Sequence, residues 1–186
     1  MPEVEIAEIL GCSRSPIREA FRILAQEGLV EIQPGKGAAV APMDPSMAAE
    51  FYDTRALLEA HATRLATPAL TDEDIGNLRS LLDGLKAARQ DGDLNRCRVL
   101  NDEFHRVLYS LCPNKTLTEI VTLCWRRTLR YGQVRQRSPE SIDGTISRKE
   151  RLFGFLERRD ADGAAGMMEQ IVLSGKKDVV NTLTRE

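Results

Sequence analysis

Two short helical segments separated by a glycine constrain this chain more than any other feature of its sequence. Residues 3–10 predict an amphipathic helix, because Val4, Ala7 and Leu10 share one face at helical spacing, with Ile6 and Ile9 beside them. Gly11 predicts its end, since glycine adopts a left-handed backbone at little cost. Ser13 or Ser15 is the expected cap of a second helix, and Pro16 fits its first turn, where no backbone donor is needed. Two helices joined in this way form a helix-turn-helix.

A row of three arginines marks the second helix, which is expected to run to about Glu27. Arg14, Arg18 and Arg22 are four residues apart and therefore share one face. One interpretation is a solvated face whose arginines pair with Glu19 and Glu27. The other is a DNA-binding face, because a helix N-terminus attracts phosphate and arginine is the usual partner of guanine. The position of the row, directly after a turn and before a hairpin, favours DNA.

A β-hairpin is predicted immediately after the arginine-bearing helix. Residues 29–33 and 38–41 have the composition of two short strands, and the Pro-Gly-Lys-Gly sequence of residues 34–37 joins them with turn-forming residues. A hairpin in this position forms the wing of a winged helix. Lys36 at its tip is placed to contact a phosphate.

The chain is predicted to divide at a short linker, residues 43–46, because Pro42 and Pro45 lie on either side of the break. This linker separates a DNA-binding domain, residues 1–42, from a helical domain, residues 47–186. Breaks in the second domain predict six helices at about 46–66, 71–91, 93–112, 114–137, 140–159 and 161–183. The expected fold is therefore mainly α: an N-terminal winged helix-turn-helix followed by an antiparallel all-α helical bundle.

Bulk composition sets further limits on function. The 186 residues carry a net charge of -2, so any contact with nucleic acid must come from a local basic patch. No apolar run is long enough to span a membrane and no secretory signal is visible, which together predict a cytoplasmic protein. Four scattered cysteines without a CxxC pair are expected to be reduced: Cys12, Cys97, Cys112 and Cys124.

Several segments of the chain resemble the GntR family of bacterial transcription regulators. Those that resemble its winged-helix domain are SRSPIREA at residues 13–20, GLV at 28–30 and GKGAAV at 35–40. Those that resemble the FCD ligand-binding domain of its FadR subfamily are Arg55-x-x-Leu58-Glu59, Phe104-His105 and the helix break at Arg159-Asp160. The resemblance implies a DNA-binding transcription regulator that responds to a small organic acid. It also implies a homodimer on a palindromic double-stranded DNA operator.

The resemblance further implies which residues contact DNA. Arg14 and Arg18 match arginines that contact DNA in the family, and residues 35–37 match the tip of a wing that enters the minor groove. Neighbouring positions at the start of the same helix and on its face complete the expected DNA-binding set. That set is Ser13, Arg14, Ser15, Pro16, Arg18, Arg22, Gly35, Lys36 and Gly37.

Two departures from the family pattern bear on DNA binding. Family members have a further helix before the point that corresponds to Met1, and this helix packs behind the recognition helix. They also carry an arginine at the position of Val4. We therefore expect either a less stable winged helix or an N-terminally shortened version of a longer protein. The alternative function is an effector-binding and dimerisation module that has lost DNA binding.

The FCD resemblance also implies an effector site. Many such domains bind a metal ion through an Asp and a His one turn apart on one helix and two His on later helices, and the ion anchors a carboxylate. Here these positions fall on Asn101, His105, Lys149 and Ile171. The chain has only two histidines, His61 and His105, so a three-histidine site cannot form. A degenerate site without metal, and a protein without cofactor, are the predictions.

Two interpretations of this pocket remain open. In the first, the site is lost, and Asn101 and His105 are buried polar residues of the core. In the second, the ammonium group of Lys149 replaces the charge of the metal and binds the carboxylate directly. Further candidates for effector binding lie on neighbouring helices: Arg127, Arg130 and Arg148.

No arrangement typical of an enzyme stands out in the sequence. Paired carboxylates, a nucleophile next to a base, a phosphate-binding loop and a complete set of metal ligands are all missing. We therefore expect a regulator and not an enzyme.

Overall fold

The computed structural model describes residues 1–135 and 139–185, and the side chains of residues 129, 130 and 132–135 are outside its description. The chain divides into two compact units, Met1–Met43 and Asp44–Glu186. The first unit combines two helices with a β-hairpin, and the described part of the second unit is helical.

The first unit is a winged helix-turn-helix, which confirms the predicted fold. Helix α1 (Glu3–Leu10) ends at Gly11, whose φ of 62° is the left-handed conformation that glycine adopts readily. Helix α2 (Arg14–Gln26) follows after a short turn. Strands β1 (Val30–Gln33) and β2 (Gly37–Val40) pair in antiparallel fashion to form the wing. The buried residues that join these elements are Ala7, Ile17, Phe21, Val30 and Ala38.

The predicted serine cap of α2 is correct in its position but wrong in its hydrogen bond. Ser13 occupies the N-cap with an extended backbone, yet its side chain makes no capping hydrogen bond. The third helical residue, whose N–H commonly donates to such a cap, is Pro16, and proline has no N–H. Ser15 lies inside the first turn and is not the cap. The N–H groups at this helix start are therefore left to an acceptor from outside the helix.

Glycines allow the wing to turn and to approach the first residue closely. Gly35 has a φ of 74° at the wing tip, a conformation that favours glycine. Met1 lies beside β2 in the manner of a short third strand. Its ammonium group donates to the Ala38 carbonyl over 2.8 Å, and the Ala38 N–H donates to the Met1 carbonyl over 3.1 Å. A Cβ atom on Gly37 would overlap that carbonyl oxygen, and the sequence does not predict this contact.

Only part of the predicted apolar face of α1 is buried within the first unit. Of the predicted face, Ala7 is buried, whereas Val4 and Leu10 are exposed. Ile9, next to this face, is 76% exposed. Helix α1 therefore contributes mainly Ala7 and the partly buried Ile6 to the core of this unit.

The second unit has six α-helices in its described part, and each described end lies within two residues of the prediction. The end predicted near residue 137 lies outside the described residues. A 3-10 turn, Thr67–Ala69, follows the first of these helices and was not anticipated by the sequence pattern. The helices are α3 (Pro45–Ala66), α4 (Asp72–Gln90), α5 (Leu94–Ser110), α6 (Lys115–Arg135), α7 (Pro139–Glu157) and α8 (Ala161–Leu183).

Helix α3 begins inside the predicted linker. The side chain of Asp44 accepts a hydrogen bond from the Ser46 N–H over 2.8 Å and so caps the helix. Pro45 occupies the first helical position, where its missing N–H has no cost. Residues 45 and 46 of the predicted linker are thus helical, because this proline starts a helix and does not interrupt one.

Polar caps define the breaks between the bundle helices. Thr71 and Asp74 form the predicted capping box at the start of α4, and the hydrogen bonds from Thr71 hold the pKa of Asp74 below its usual value. Asp93 and Asp160 cap α5 and α8 with one side-chain acceptor each, for the N–H groups of Arg96 and Gly163. Arg159 has a left-handed φ of 57°, which turns the chain between α7 and α8.

A large apolar core and a smaller cluster of four buried residues fill the bundle. Helix α8 packs along α3, and α4, α5 and α7 supply further buried side chains. No helix in the described ranges is long and apolar enough to cross a membrane. The large residues at the centre of the core include Leu78, Leu82, Phe104, Leu108, Leu152, Phe153, Leu156 and Met168.

Candidate nucleic-acid interface and effector pocket

The predicted arginine row is exposed along one side of α2. The side chains of Arg14, Arg18 and Arg22 are 61, 55 and 63% exposed, so all three can meet a partner from solution. Together with residues 32–37 of the wing they line a cleft with a volume of about 580 Å³, here called the basic cleft. The structure thus brings the predicted helix face and the wing tip, with Lys36, to one cleft.

The start of α2 extends this surface. Ser15 and Pro16 line a shallow depression together with Arg18 and Arg22, and Ser13 is exposed at the N-cap. The first-turn N–H groups of a helix carry a partial positive charge, so this end of α2 favours an anion. All nine residues predicted to contact DNA therefore lie in the first unit, along the basic cleft or at the adjoining helix start.

Glu3 contacts two of the three arginines, and the sequence pattern did not reveal it. Arg18 donates from Nε to Oε1 of Glu3 over 3.1 Å and from Nη2 to Oε2 over 2.8 Å. Arg14 donates from Nη2 to Oε2 over 3.5 Å, at the limit of a hydrogen bond. The hydrogen bond from Arg18 holds the pKa of Glu3 below its usual value. Arg22 contacts Glu19 over 3.4 Å, as the solvated-face interpretation expected.

The four positions of the predicted degenerate metal site are all buried in the bundle. Asn101 and His105 lie one turn apart on α5, Lys149 lies on α7 and Ile171 on α8. Lys149 is inaccessible to solvent, and its Nζ lies 4.0 Å from the centroid of the Phe104 ring. The ring of Phe104 in turn lies 6.2 Å from that of His105. A lysine side chain is therefore placed inside the bundle, beside the helix that carries Asn101 and His105.

These four side chains do not fit a metal ion. Lys149 as an ammonium has no lone pair, Ile171 packs in the apolar core, and Asn101 offers only a neutral amide oxygen. Among the four, only His105 carries a nitrogen that commonly binds a metal, and its Nδ1 is hydrogen-bonded to the Tyr109 hydroxyl over 2.9 Å. Among the described residues, no three Cys, His, Asp or Glu side chains gather as metal ligands would. That the protein works without a metal stays a prediction.

The arginines proposed for effector binding fall in different surroundings. The guanidinium of Arg127 lies 5.8 Å from the ring centroid of Phe51 on α3. Arg148 lines a groove of about 400 Å³ between α7 and α8, opposite Ser174 and Asp178. The side chain of Arg130 lies outside the described residues. The structure thus places Arg127 beside Phe51 and Arg148 along the groove between α7 and α8.

A buried ion pair connects three helices of the bundle. Arg55 and Glu59, one turn apart on α3, are both buried, and the Nε and Oε1 atoms are 2.5 Å apart. Nη1 of Arg55 donates to the Thr128 hydroxyl of α6 over 2.7 Å. The Tyr109 hydroxyl of α5 donates to the second oxygen of Glu59 and also contacts Nδ1 of His105. In the sequence, Arg55 and Glu59 are recognisable only as part of the resemblance to the FCD domain.

Two members of this network, Arg55 and Tyr109, have raised pKa values. Burial disfavours the charged form of Arg55, but the carboxylate of Glu59 outweighs it and raises the pKa of the guanidinium. Burial and the charge of Glu59 raise the pKa of Tyr109 well above its ordinary value. Arg55 therefore stays cationic and Tyr109 stays a hydrogen-bond donor.

Comparison with protein families accounts for both units. The winged helix-turn-helix followed by a helical bundle defines a two-domain regulator class. The model of the bacterial regulatory proteins of the gntR family matches residues 1–40, and the model of the FCD domain matches residues 50–174. The chain belongs to the GntR family and carries an FCD domain.

Curated relatives align with part or most of the chain. The Nta operon transcriptional regulator of Aminobacter aminovorans is 35% identical over 121 residues, which are 64% of this chain and 56% of that protein. The HTH-type transcriptional regulator McbR of Escherichia coli (strain K12) is 26% identical over 170 residues, 90% of this chain and 76% of that protein. The chain spans 56, 64 and 46% of the first three curated relatives that it matches.

Solved structures show the same fold. Escherichia coli McbR/YncC superposes with a TM-score of 0.87 at 23% identity, covering 98% of this chain and 87% of that one. A GntR-type structure from Rhodococcus sp. RHA1 gives a TM-score of 0.81 at 20% identity, covering 97% and 86%. Both comparisons support the arrangement of elements described above.

Removal of the buried carboxylate should destabilise the bundle. In Glu59→Ala, Arg55 keeps its charge without a counter-ion, so we expect a loss of about 3–5 kcal/mol in the free energy of unfolding. Tyr109→Phe removes only a hydroxyl and should cost about 1–2 kcal/mol. Urea denaturation followed by circular dichroism measures both values.

The matched control is Glu157→Ala. Glu157 pairs with Arg79 over 2.8 Å on the surface and is 45% exposed, so its loss should change the unfolding free energy by less than about 1 kcal/mol. Equal destabilisation by Glu59→Ala and Glu157→Ala would show that the buried pair contributes no more to the free energy of unfolding than a surface pair does.

Proposed function

We propose that the chain is a bacterial DNA-binding transcription regulator, whose first unit binds a double-stranded DNA operator and whose second unit binds a small organic acid. The observation that carries this proposal is the basic cleft. Three exposed arginines on α2 and Lys36 on the wing meet in one concavity. Membership of a family of transcription regulators agrees with it.

The chemistry of the cleft suits a duplex. Lys36 at the exposed wing tip and the start of α2 supply contacts to phosphates, which position a protein on DNA. Arg14, Arg18 and Arg22 carry guanidinium groups that can bind guanine O6 and N7 in pairs. The net charge of -2 is no obstacle, because the four basic side chains of the first unit all line the basic cleft.

Two copies of the chain are expected on the DNA. One winged helix reads only a half-site, and useful affinity for a palindromic operator needs two. The second unit would supply the dimer contact. Effector binding would then shift the equilibrium between dimers that bind DNA and dimers that do not.

Lys149 is the proposed anchor of the effector. An ammonium group inside the bundle can hold a carboxylate by charge, which takes over the task of the metal in related domains. Asn101 and His105 on α5 would complete the pocket, with Arg127 and Arg130 as further candidates. This role is one of binding, and we propose no catalytic step for the chain.

Loss of one cationic side chain from the cleft should weaken DNA binding. For Arg14→Ala and Lys36→Ala we expect lower affinity for random-sequence duplexes, and a slope of log affinity against log salt that is smaller by about one. Fluorescence anisotropy with a labelled duplex at several salt concentrations measures both.

Arg64→Ala is the control for this experiment. Arg64 is 51% exposed and pairs with Asp162 in the second unit, so its loss removes the same charge away from the cleft. The affinity of this variant should match that of the unchanged chain. If the unchanged chain binds no duplex at any salt concentration, the alternative stands: an effector-binding and dimerisation module without DNA binding.

The effector proposal is tested by removing the buried ammonium. We screen mono-, di- and tricarboxylates for a rise in the thermal midpoint of the chain. A ligand at 100 times its Kd should stabilise the fold by about 2.7 kcal/mol. Lys149→Met keeps the length of the side chain and should abolish the shift, whereas Lys177→Met on the exposed surface of α8 should keep it. An unchanged shift in Lys149→Met contradicts the assignment.

A further inference from the structure

The contact between Glu3 and Arg18 uses one particular edge of the guanidinium group. Nε and Nη2 of Arg18 each donate to a different oxygen of Glu3, over 3.1 and 2.8 Å. A guanidinium has five N–H donors in one plane, so this two-point contact occupies the side edge only. The outer edge, formed by Nη1 and the second N–H of Nη2, makes no hydrogen bond or ion pair with the described residues.

The exposure of the two side chains shows which of them lies underneath. The side chain of Glu3 is 18% exposed, whereas that of Arg18 is 55% exposed. The carboxylate is therefore the inner group and the guanidinium the outer one. Because Glu3 belongs to the first turn of α1, it holds Arg18 from a second element, which fixes the direction of a long and otherwise mobile side chain.

We propose that Glu3 is a specificity-determining residue of the basic cleft: it holds the side edge of Arg18 so that the outer edge can read a guanine. The inference rests on the proposed DNA binding of the first unit. Two parallel N–H groups match O6 and N7 of guanine, and a guanidinium held in place loses little further freedom on binding. Arg14, which also reaches Glu3, is held more weakly.

A carboxylate on a DNA-binding face has a second effect with the opposite sign. It repels phosphates, so it lowers affinity for every duplex regardless of sequence. Its presence thus favours base recognition over general attraction to the backbone, which is how repulsion contributes to specificity. Removal of the charge should therefore raise affinity for random DNA and at the same time reduce discrimination between sequences. If Glu3 only competed with DNA for Arg18, its removal would raise the affinity for all sequences alike and leave the discrimination between them unchanged.

The test selects binding sites from a pool of random-sequence duplexes with the full chain and with three variants. Glu3→Gln keeps the size of the side chain but loses the two-oxygen acceptor. Glu5→Gln removes the same charge from the same first turn of α1 and serves as the control. Arg18→Lys keeps the positive charge without the planar fork. Circular dichroism and thermal midpoints establish that each variant is folded.

We expect the full chain to select a site that contains a guanine which Arg18→Lys no longer prefers. Glu3→Gln should lose about tenfold in its preference at that same position, with equal or higher affinity for random duplexes. Glu5→Gln should keep the preference. If Glu3→Gln fails to fold, Arg18→Lys decides alone, because retained preference for every guanine in that variant overturns the proposal.

Two other results also overturn it, and they differ in what else they affect. If Glu3→Gln binds all sequences more tightly by one common factor, Glu3 is only a competitor and the proposed DNA-binding function stands. If the unchanged chain binds no duplex, the proposed function fails together with this inference.

Discussion

The buried ion pair between Arg55 and Glu59 is the interaction on which the second unit depends. Taking two charges out of water costs several kcal/mol for each ion, and only a complete set of hydrogen bonds offsets this cost. Thr128 on α6 and Tyr109 on α5 each add a hydrogen bond to the pair. Because both charges lie on α3, a shift of α5 or α6 would leave the pair intact but remove one of these buried hydrogen bonds, and in this way the pair helps to specify how α3, α5 and α6 pack against one another.

The same network reaches the candidate effector pocket. Tyr109 hydrogen-bonds both Glu59 and His105, so the ring of His105 is oriented by a side chain that the ion pair holds in place. Asn101 lies one turn before His105 on the same buried face of α5. The polar face of α5 is thus held in place by the Arg55–Glu59 pair of α3. Lys149 of α7 lies beside the same helix. This is the physical basis for placing the effector there.

An ion pair also organises the first unit, but with a different consequence. Glu3 and Arg18 meet at the surface, where water and salt weaken their attraction. Their contact therefore orients the Arg18 side chain more than it stabilises the fold. One unit therefore uses a buried pair to fix helix packing, and the other uses an exposed pair to aim a side chain at the basic cleft.

Local sequence patterns predicted most of the fold, whereas contacts between distant residues were beyond them. Helical periodicity, Gly11 and the capping box at Thr71 placed the helices, and turn residues placed the wing. The Ser13 hydrogen bond was wrong because Pro16 removes the donor. Contacts of Glu3 with Arg18 and of Glu59 with Tyr109 span 15 and 50 positions, and no spacing rule covers such pairs.

Amide hydrogen exchange of the full chain, with and without a saturating duplex from the selected pool, tests the central claim most directly. The first-turn amides of α2 and the wing-tip amides are exposed to water unless DNA covers them. We predict slower exchange at residues 13–22 and 34–37 when DNA is bound, with the bundle core unchanged. Slower exchange confined to residues 44–186, while binding is saturated, would contradict the assignment of the first unit as the DNA-binding surface.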